Sequence, residues 1–295
     1  MTHQRASLYL IIGGCMWGIY WMPLLYLEDL GLTGAAAGTA LYIASLIALL
    51  PVIWHYRHLF FQQWRVLLIS GMLTGCAFSL YTTSLSYTDV IRSILLFYLT
   101  PVWGTLIGIF VLKERLTRAR IAVILFAFMG LYAILGSGTG LLKMPNLGDV
   151  LALLSGIFWA LGSLGLLRAQ SVPVFPQIIS FLAGSLLISL LSIWLIGSSI
   201  TWPSQSQNLI YMLGFLVIFT LFAIPMFWLT LAPARVLTPA KVGILLMSEV
   251  VVGAISAMLF SGQPFGIAEF IGTILIMLAA VIEIKSTSHP SSPAA

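Results

Sequence analysis

The chain has 295 residues, of which 60% are hydrophobic and only 7% charged, with a formal net charge of +5. Soluble domains carry about 25% charged residues, so so few charges cannot cover a water-facing surface, and lipid must be the solvent. Ten spans of about 20 residues would use about 200 positions, which leaves loops and tails but no room for a soluble domain.

Taken in chain order, continuous apolar runs predict spans over 7–27, 32–54, 66–86, 90–112, 121–140, 149–168, 176–196, 209–230, 241–260 and 266–283. The runs do not alternate, so they read as helices, whose backbone groups pair internally, rather than as barrel strands. The first run follows Arg5 but ends in no small-x-small cleavage site, so it reads as an uncleaved helix. The fifth run is the weakest, thinning into Gly136-Ser137-Gly138-Thr139-Gly140, and residues 286–295 form a Ser/Pro-rich tail expected to be disordered. Cys15 and Cys76 fall inside apolar runs and read as packing residues, not as a disulfide or a metal pair.

Lys and Arg set the orientation. With the N-terminus cytoplasmic, that side collects eleven of the thirteen, and only Arg92 and Lys143 fall on the other. The positive-inside rule then puts both termini in the cytoplasm and makes the number of spans even. The same loop locations explain the basic balance without a nucleic-acid partner.

The chain also resembles itself. Residues 87–92 (Tyr-Thr-Asp-Val-Ile-Arg) align with 236–241 (Val-Leu-Thr-Pro-Ala-Lys) at a shift of 149, which also pairs Gly104 with Gly253. Gly14-Cys15-Met16-Trp17 resembles Gly156-Ile157-Phe158-Trp159 at a shift of 142. Asp89 and Thr238 then occupy equivalent helix N-caps, with Pro239 at the first helical position, where its missing N–H costs nothing. Two units of five spans insert with opposite orientation, which is the inverted-repeat plan of secondary transporters. The predicted architecture is therefore an all-α polytopic membrane protein of ten transmembrane helices, with repeats over 1–142 and 143–285.

On these residues the chain resembles the drug/metabolite transporter superfamily, EamA type. The resemblance is carried by the Trp17/Trp159 pair, Leu99-Thr100-Pro101-Val102-Trp103, Leu112-Lys113-Glu114-Arg115 and Gly243-Ile244-Leu245-Leu246-Met247-Ser248-Glu249. Within the superfamily it is most similar to the YddG-like exporters of aromatic and other amino acids. Val250 and Gln263 depart from the usual proline and glutamate of the second half. The resemblance implies a transporter, with export as the direction, in a bacterial inner membrane.

Glu249 is the sharpest candidate residue. Eleven residues past Thr238 place it about 16 Å along its helix, near the centre of a ~30 Å hydrocarbon core. An acid there costs roughly 2.5–3.5 kcal/mol on insertion scales, so it must face a cavity or a partner. It serves either as a substrate-ammonium or proton-coupling site, or as a protonated group bonded to a neighbouring helix. Thr100-Pro101 lies at equivalent depth, and Pro101 deprives the Phe97 carbonyl of its helical donor; Pro225 does the same to Leu221. Each freed carbonyl is either a ligand for a donor or a kink satisfied internally by a hydroxyl or water.

Trp17, Trp159, Tyr81 and Tyr98 are candidates for lining a chamber that stacks on a solute or contacts an ammonium, with core packing as the alternative. Ser79, Thr82 and Ser163 fit the same chamber or helix–helix hydrogen bonds. Trp21, Trp54, Trp64 and Trp202 fit interfacial belts. Arg92 and Lys241, matched across the repeat, gate opposite mouths of the cavity, attract carboxylates or extend to headgroups, the last being the simplest reading.

Other classes fit less well. His3, His55, His58 and His289 all fall in loops or tails, so no buried Ser–His pair or HExxH zinc site is available, and no Walker A loop occurs. No filter sequence or charged ring of a channel is present. No cofactor and no metal are expected; the expected partners are a small-molecule substrate and the bilayer. Oligomeric state, coupling and substrate identity stay open, as do two alternatives: a structural or assembly protein, and an importer of another small metabolite.

Overall fold

A computed structural model describes residues 2–32, 35–100, 102–103, 106, 117–135, 145–169, 171–196, 206–234, 239–260 and 266–287. Among these there are twelve helices and no strand. The first half holds α1 (His3–Gly18), α2 (Trp21–Asp29), α3 (Ala35–Ala48), α4 (Leu50–Gln62), α5 (Trp64–Ser84), α6 (Val90–Phe97) and α7 (Arg118–Leu135). The second half holds α8 (Leu147–Arg168), α9 (Val174–Ile196), α10 (Ser206–Ala234), α11 (Pro239–Phe260) and α12 (Ile267–Thr287). Four stretches are long and apolar enough to cross a membrane: Gln4–Asp29, Trp64–Ser84, Val174–Leu195 and Asn208–Pro233. The α3–α4 pair is a fifth candidate if counted as one bent span, and shorter apolar stretches coincide with predicted spans five, six, nine and ten. Nine of the 23 residues of the fourth predicted span (101, 104–105 and 107–112) and the segment 136–144 lie outside the described residues.

Two predicted spans differ from straight helices. The first is interrupted at Ile19 and Tyr20, where the Ile19 N–H turns back to Met16 and Trp17. Ser256 on α11 fills this break: its hydroxyl donates to the Gly18 carbonyl at 3.0 Å and accepts from Trp21 Nε1 at 3.0 Å. Trp21 is consequently buried, 3% exposed, and not the interfacial residue its type suggests. The second span breaks at Leu49, and α4 leaves α3 at 80°. Pro51 accounts for the break, since it offers no N–H to the Ile47 carbonyl and its ring clashes with the preceding turn. A single straight helix over 32–54 is thereby corrected to two helices, α3 and α4, that meet at 80°.

In lipid, helices gain nothing from hiding apolar faces from water, so close association depends on small residues that admit neighbouring backbones. The α5–α9 crossing shows this directly. A Cβ on Gly184 would collide with the Gly71 carbonyl, one on Gly71 would collide with Ser180, and one on Gly75 would meet the Gly184–Ser185 backbone. Ser180 also donates its hydroxyl to the Leu67 carbonyl. Across the hydrophobic core, the closest helix neighbours come from opposite halves of the chain: α5 with α8 and α9, α1 with α10 and α11, α3 with α9 and α10, α6 with α8 and α11, and α7 with α12. Replacing Gly184 by valine should destabilise the fold by about 1–3 kcal/mol through overpacking. The expected readout is a lower thermal unfolding midpoint in detergent, with Gly214→Ala as the control, because nothing lies within 4 Å of a Cβ there.

Candidate functional site

Glu249 lies on α11 where that helix meets α1 and α6. Its side chain is 6% exposed, and it accepts a hydrogen bond of 2.6 Å from the Tyr98 hydroxyl just beyond α6. The Leu246 carbonyl lies 3.1 Å from the same hydroxyl. Glycines on α1 admit the acid this close: a Cβ on Gly18 would come within 2.8 Å of the Glu249 carbonyl, and one on Gly14 would strike Ser248. A carboxylate accepts at about four lone-pair sites, so Tyr98 does not exhaust it. Around the pair stands an aromatic wall, in which Phe97 is 5.5 Å from Tyr98, 5.2 Å from Tyr81 and 6.3 Å from Trp159 between ring centroids. The site thus joins one buried acceptor, one phenol donor and ring faces from α5, the end of α6 and α8. Such a constellation can hold an ammonium against an apolar or aromatic body.

The expected Phe97 ligand is already occupied. Thr100 donates its hydroxyl to that carbonyl at 2.6 Å, which satisfies it within its own turn; Pro101 lies outside the described residues. Thr82 is likewise committed, donating to the Ser79 carbonyl at 3.0 Å and accepting from Tyr42 at 2.7 Å. The Ser79 hydroxyl, by contrast, is buried without a partner among the described residues, as are Thr83 Oγ1, Thr220 Oγ1 and Trp103 Nε1.

Trp17 sits beside this site in a second aromatic group. Its ring is 5.1 Å from Phe78, 5.3 Å from Tyr20 and 5.7 Å from Phe227, and its Nε1 donates to Thr230 at 2.9 Å. Phe78 is the hub, stacking on Phe181 at 4.9 Å and meeting Tyr42 at 5.4 Å. Tyr42, Phe181 and Phe227 escaped the sequence reading because an aromatic in an apolar run carries no sign of the direction it faces. Pro225 faces outward from α10, and the side chains of Ser163 and Lys241 lie outside the described residues.

Arg92 is held inside the protein and does not extend to headgroups. It is 4% exposed and paired with Asp149, which is fully buried. Arg92 Nε reaches Oδ1 at 3.1 Å and Nη2 reaches Oδ2 at 2.5 Å, a bidentate arrangement that suits a guanidinium. Thr88 donates to Oδ1 at 2.8 Å and the Asn146 N–H to Oδ2 at 3.0 Å, while Asn146 Oδ1 caps α8 by accepting from the Asp149 N–H at 2.9 Å. The first turns of α6 and α8 are thereby tied together. The signal for this partner was present in the sequence as Asn146-x-x-Asp149, a capping-box spacing.

A helical chain with buried acid, small-residue crossings and a polar seam between its halves matches a known protein family over its first half. Residues 4–136 match the EamA-like transporter family. The matched family is one of transporters, and the match together with the four stretches long and apolar enough to cross a membrane supports a multi-pass membrane protein. No curated protein matches the chain. Among solved structures, one titled only "Crystal structure of protein" superposes with a TM-score of 0.62, at 20% identity, over 95% of this chain and 96% of that one. That likeness is one of fold, shared over nearly the full length of both chains.

Arg92 lies within the matched segment 4–136, and its buried counter-ion, Asp149, lies outside it. Removing one partner leaves a buried charge uncompensated, at a cost of about 3–5 kcal/mol. Asp149→Ala should therefore lower the thermal unfolding midpoint sharply, and the exchange Arg92→Asp/Asp149→Arg should recover part of the loss.

Proposed function

We propose that the chain is a secondary transporter that exports small amphipathic metabolites, amino acids with aromatic side chains among them, across a bacterial inner membrane by alternating access. The observation that carries this reading is the Tyr98–Glu249 pair, a buried acid and phenol set at the seam of the two halves and faced by the rings of Tyr81, Phe97 and Trp159. In the proposed cycle Glu249 receives the substrate ammonium, the rings receive its side chain, and Tyr98 returns to the carboxylate when the substrate leaves. An amine without an apolar body gains too little from the rings, and an apolar body without an amine leaves the acid unmatched.

The proposed frame is ten spans in two inverted repeats, 1–142 and 143–285, with both termini cytoplasmic. Equivalent contacts support it. A Cβ on Gly14 would lie 3.5 Å from the Leu246 carbonyl, and one on Gly156 would lie 2.9 Å from the Phe97 carbonyl. Gly14 and Gly156 are related by the shift of 142 residues, and Phe97 and Leu246 by the shift of 149. The neighbour pattern is also preserved under exchange of the halves, so that α1 against α11 answers α8 against α6.

Purified protein in proteoliposomes should give saturable flux of labelled phenylalanine or tryptophan, competed by related amino acids. Glu249→Gln and Tyr98→Phe should each reduce it at least about tenfold, the loss of a single site interaction of roughly 1.4 kcal/mol, at unchanged expression. Full flux in Glu249→Gln would remove that residue from the mechanism. The absence of competable flux across a wide amino-acid panel would instead favour the structural or assembly reading. Tags on the two termini should both be accessible from the cytoplasm; accessibility on opposite sides overturns the inverted frame.

A further inference from the structure

The elbow α4 is left unexplained by the transport site. It has thirteen residues and no buried one, yet it is ordered as a continuous helix set at 80° to the span before it. Its inner stripe is anchored: Val52, Ile53 and Phe60 pack on the main core, and Leu59 and Phe60 on the small cluster of Leu67, Ala169 and Val172. The opposite stripe, Leu50, Trp54, Arg57 and Phe61, follows helical spacing and faces away from the protein, with Trp54 71% and Phe61 80% exposed. A helix perpendicular to a membrane span runs along the bilayer surface. Its composition is that of an interfacial helix, with aromatic and aliphatic residues beside exposed arginines.

The charge on the elbow and in the first turn of α5 has one sign: Arg57 of α4 and Arg65 of α5 are exposed, and no Asp or Glu occurs anywhere between Asp29 and Asp89. Each guanidinium lies over a tryptophan ring, Arg57 at 4.4 Å from Trp54 and Arg65 at 5.4 Å from Trp64. Stacking of this kind steadies the stem and keeps the fork available to a phosphate oxygen, which it matches bidentately. Among the described residues neither arginine is paired with a carboxylate, which leaves both open to an anion from the surroundings. At the end of a membrane span that anion is the lipid headgroup.

We propose that α4 lies in the headgroup layer and binds anionic phospholipid, with Arg57 and Arg65 gripping the phosphate and Trp54, Phe61 and Trp64 seated at the acyl boundary. The span α3 then ends at the surface, and the elbow fixes how deep the α3–α5 hairpin sits. This inference needs only that the chain is a membrane protein, so it stands or falls separately from the transport reading.

The test uses the full-length protein in nanodiscs of phosphatidylcholine with and without phosphatidylglycerol. Native mass spectrometry of the released protein should show preferential retention of phosphatidylglycerol, weakened roughly fivefold for each arginine neutralised in Arg57→Gln and Arg65→Gln. The gain in thermal midpoint on adding phosphatidylglycerol should shrink in the same order. Equal retention of both lipids by the unaltered protein, or an undiminished preference in the double variant, overturns the proposal. A fluorophore on Phe61→Cys, in a Cys15→Ser/Cys76→Ser background, should be quenched most by headgroup-labelled lipid. Stronger quenching from mid-chain labels, or none from either, would place the elbow in the hydrocarbon or in water and overturn it as well. The mass measurement requires no cysteine removal and stands if the labelled background fails to fold.

Discussion

Hydrocarbon offers no partner to a polar group and no reward for hiding an apolar face. Every feature of this protein that holds two helices together answers to that constraint. Gly71 and Gly184 let backbones touch, Ser256 closes the break between α1 and α2, and Thr39 and Ser189 share a hydrogen bond of 2.7 Å across α3 and α9. Polar side chains in such a medium act as connectors, because each unmade bond is costly. The protein spends its few charges in the same manner, with Arg92 and Asp149 satisfying each other and four further hydrogen bonds completing their shell.

This view separates two kinds of buried acid. Asp149 is saturated by a guanidinium, a hydroxyl and an amide, which is the mark of a structural tie. Glu249 has a phenol and a surrounding of rings, and retains accepting capacity. The two acids lie in comparable burial and differ in what faces them. Function is argued from the second because it is the one with capacity to spare.

Much of the helix pattern was legible in the sequence because the bilayer imposes length and hydrophobicity on every span. The ends of α9, α10 and α11 fall within a few residues of the predicted runs. The need of Glu249 for a partner was legible too, since an acid in an apolar run must face a cavity or a neighbouring helix. What escaped were features invisible to hydropathy. Pro51 lies within an unbroken apolar run, so its effect on direction is masked although its effect on the backbone is large. Trp21 has the composition of a belt residue, but a gap in α1 draws it inward to Ser256. Arg92 was matched to Lys241 along the chain, whereas its physical partner sits in the other half and is reached only through the fold.

The interleaving of the two halves bears on how the protein is made. Helices leave the translocon in chain order, and α1, α3, α5 and α6 find their main neighbours only among α8 to α11. The first five segments must therefore wait in the bilayer with glycine grooves unfilled and Arg92 without its counter-ion. Assembly is a late, collective event in which the second half slots between members of the first. A chain that stopped after α7 would lack the neighbours on which α1, α3, α5 and α6 pack.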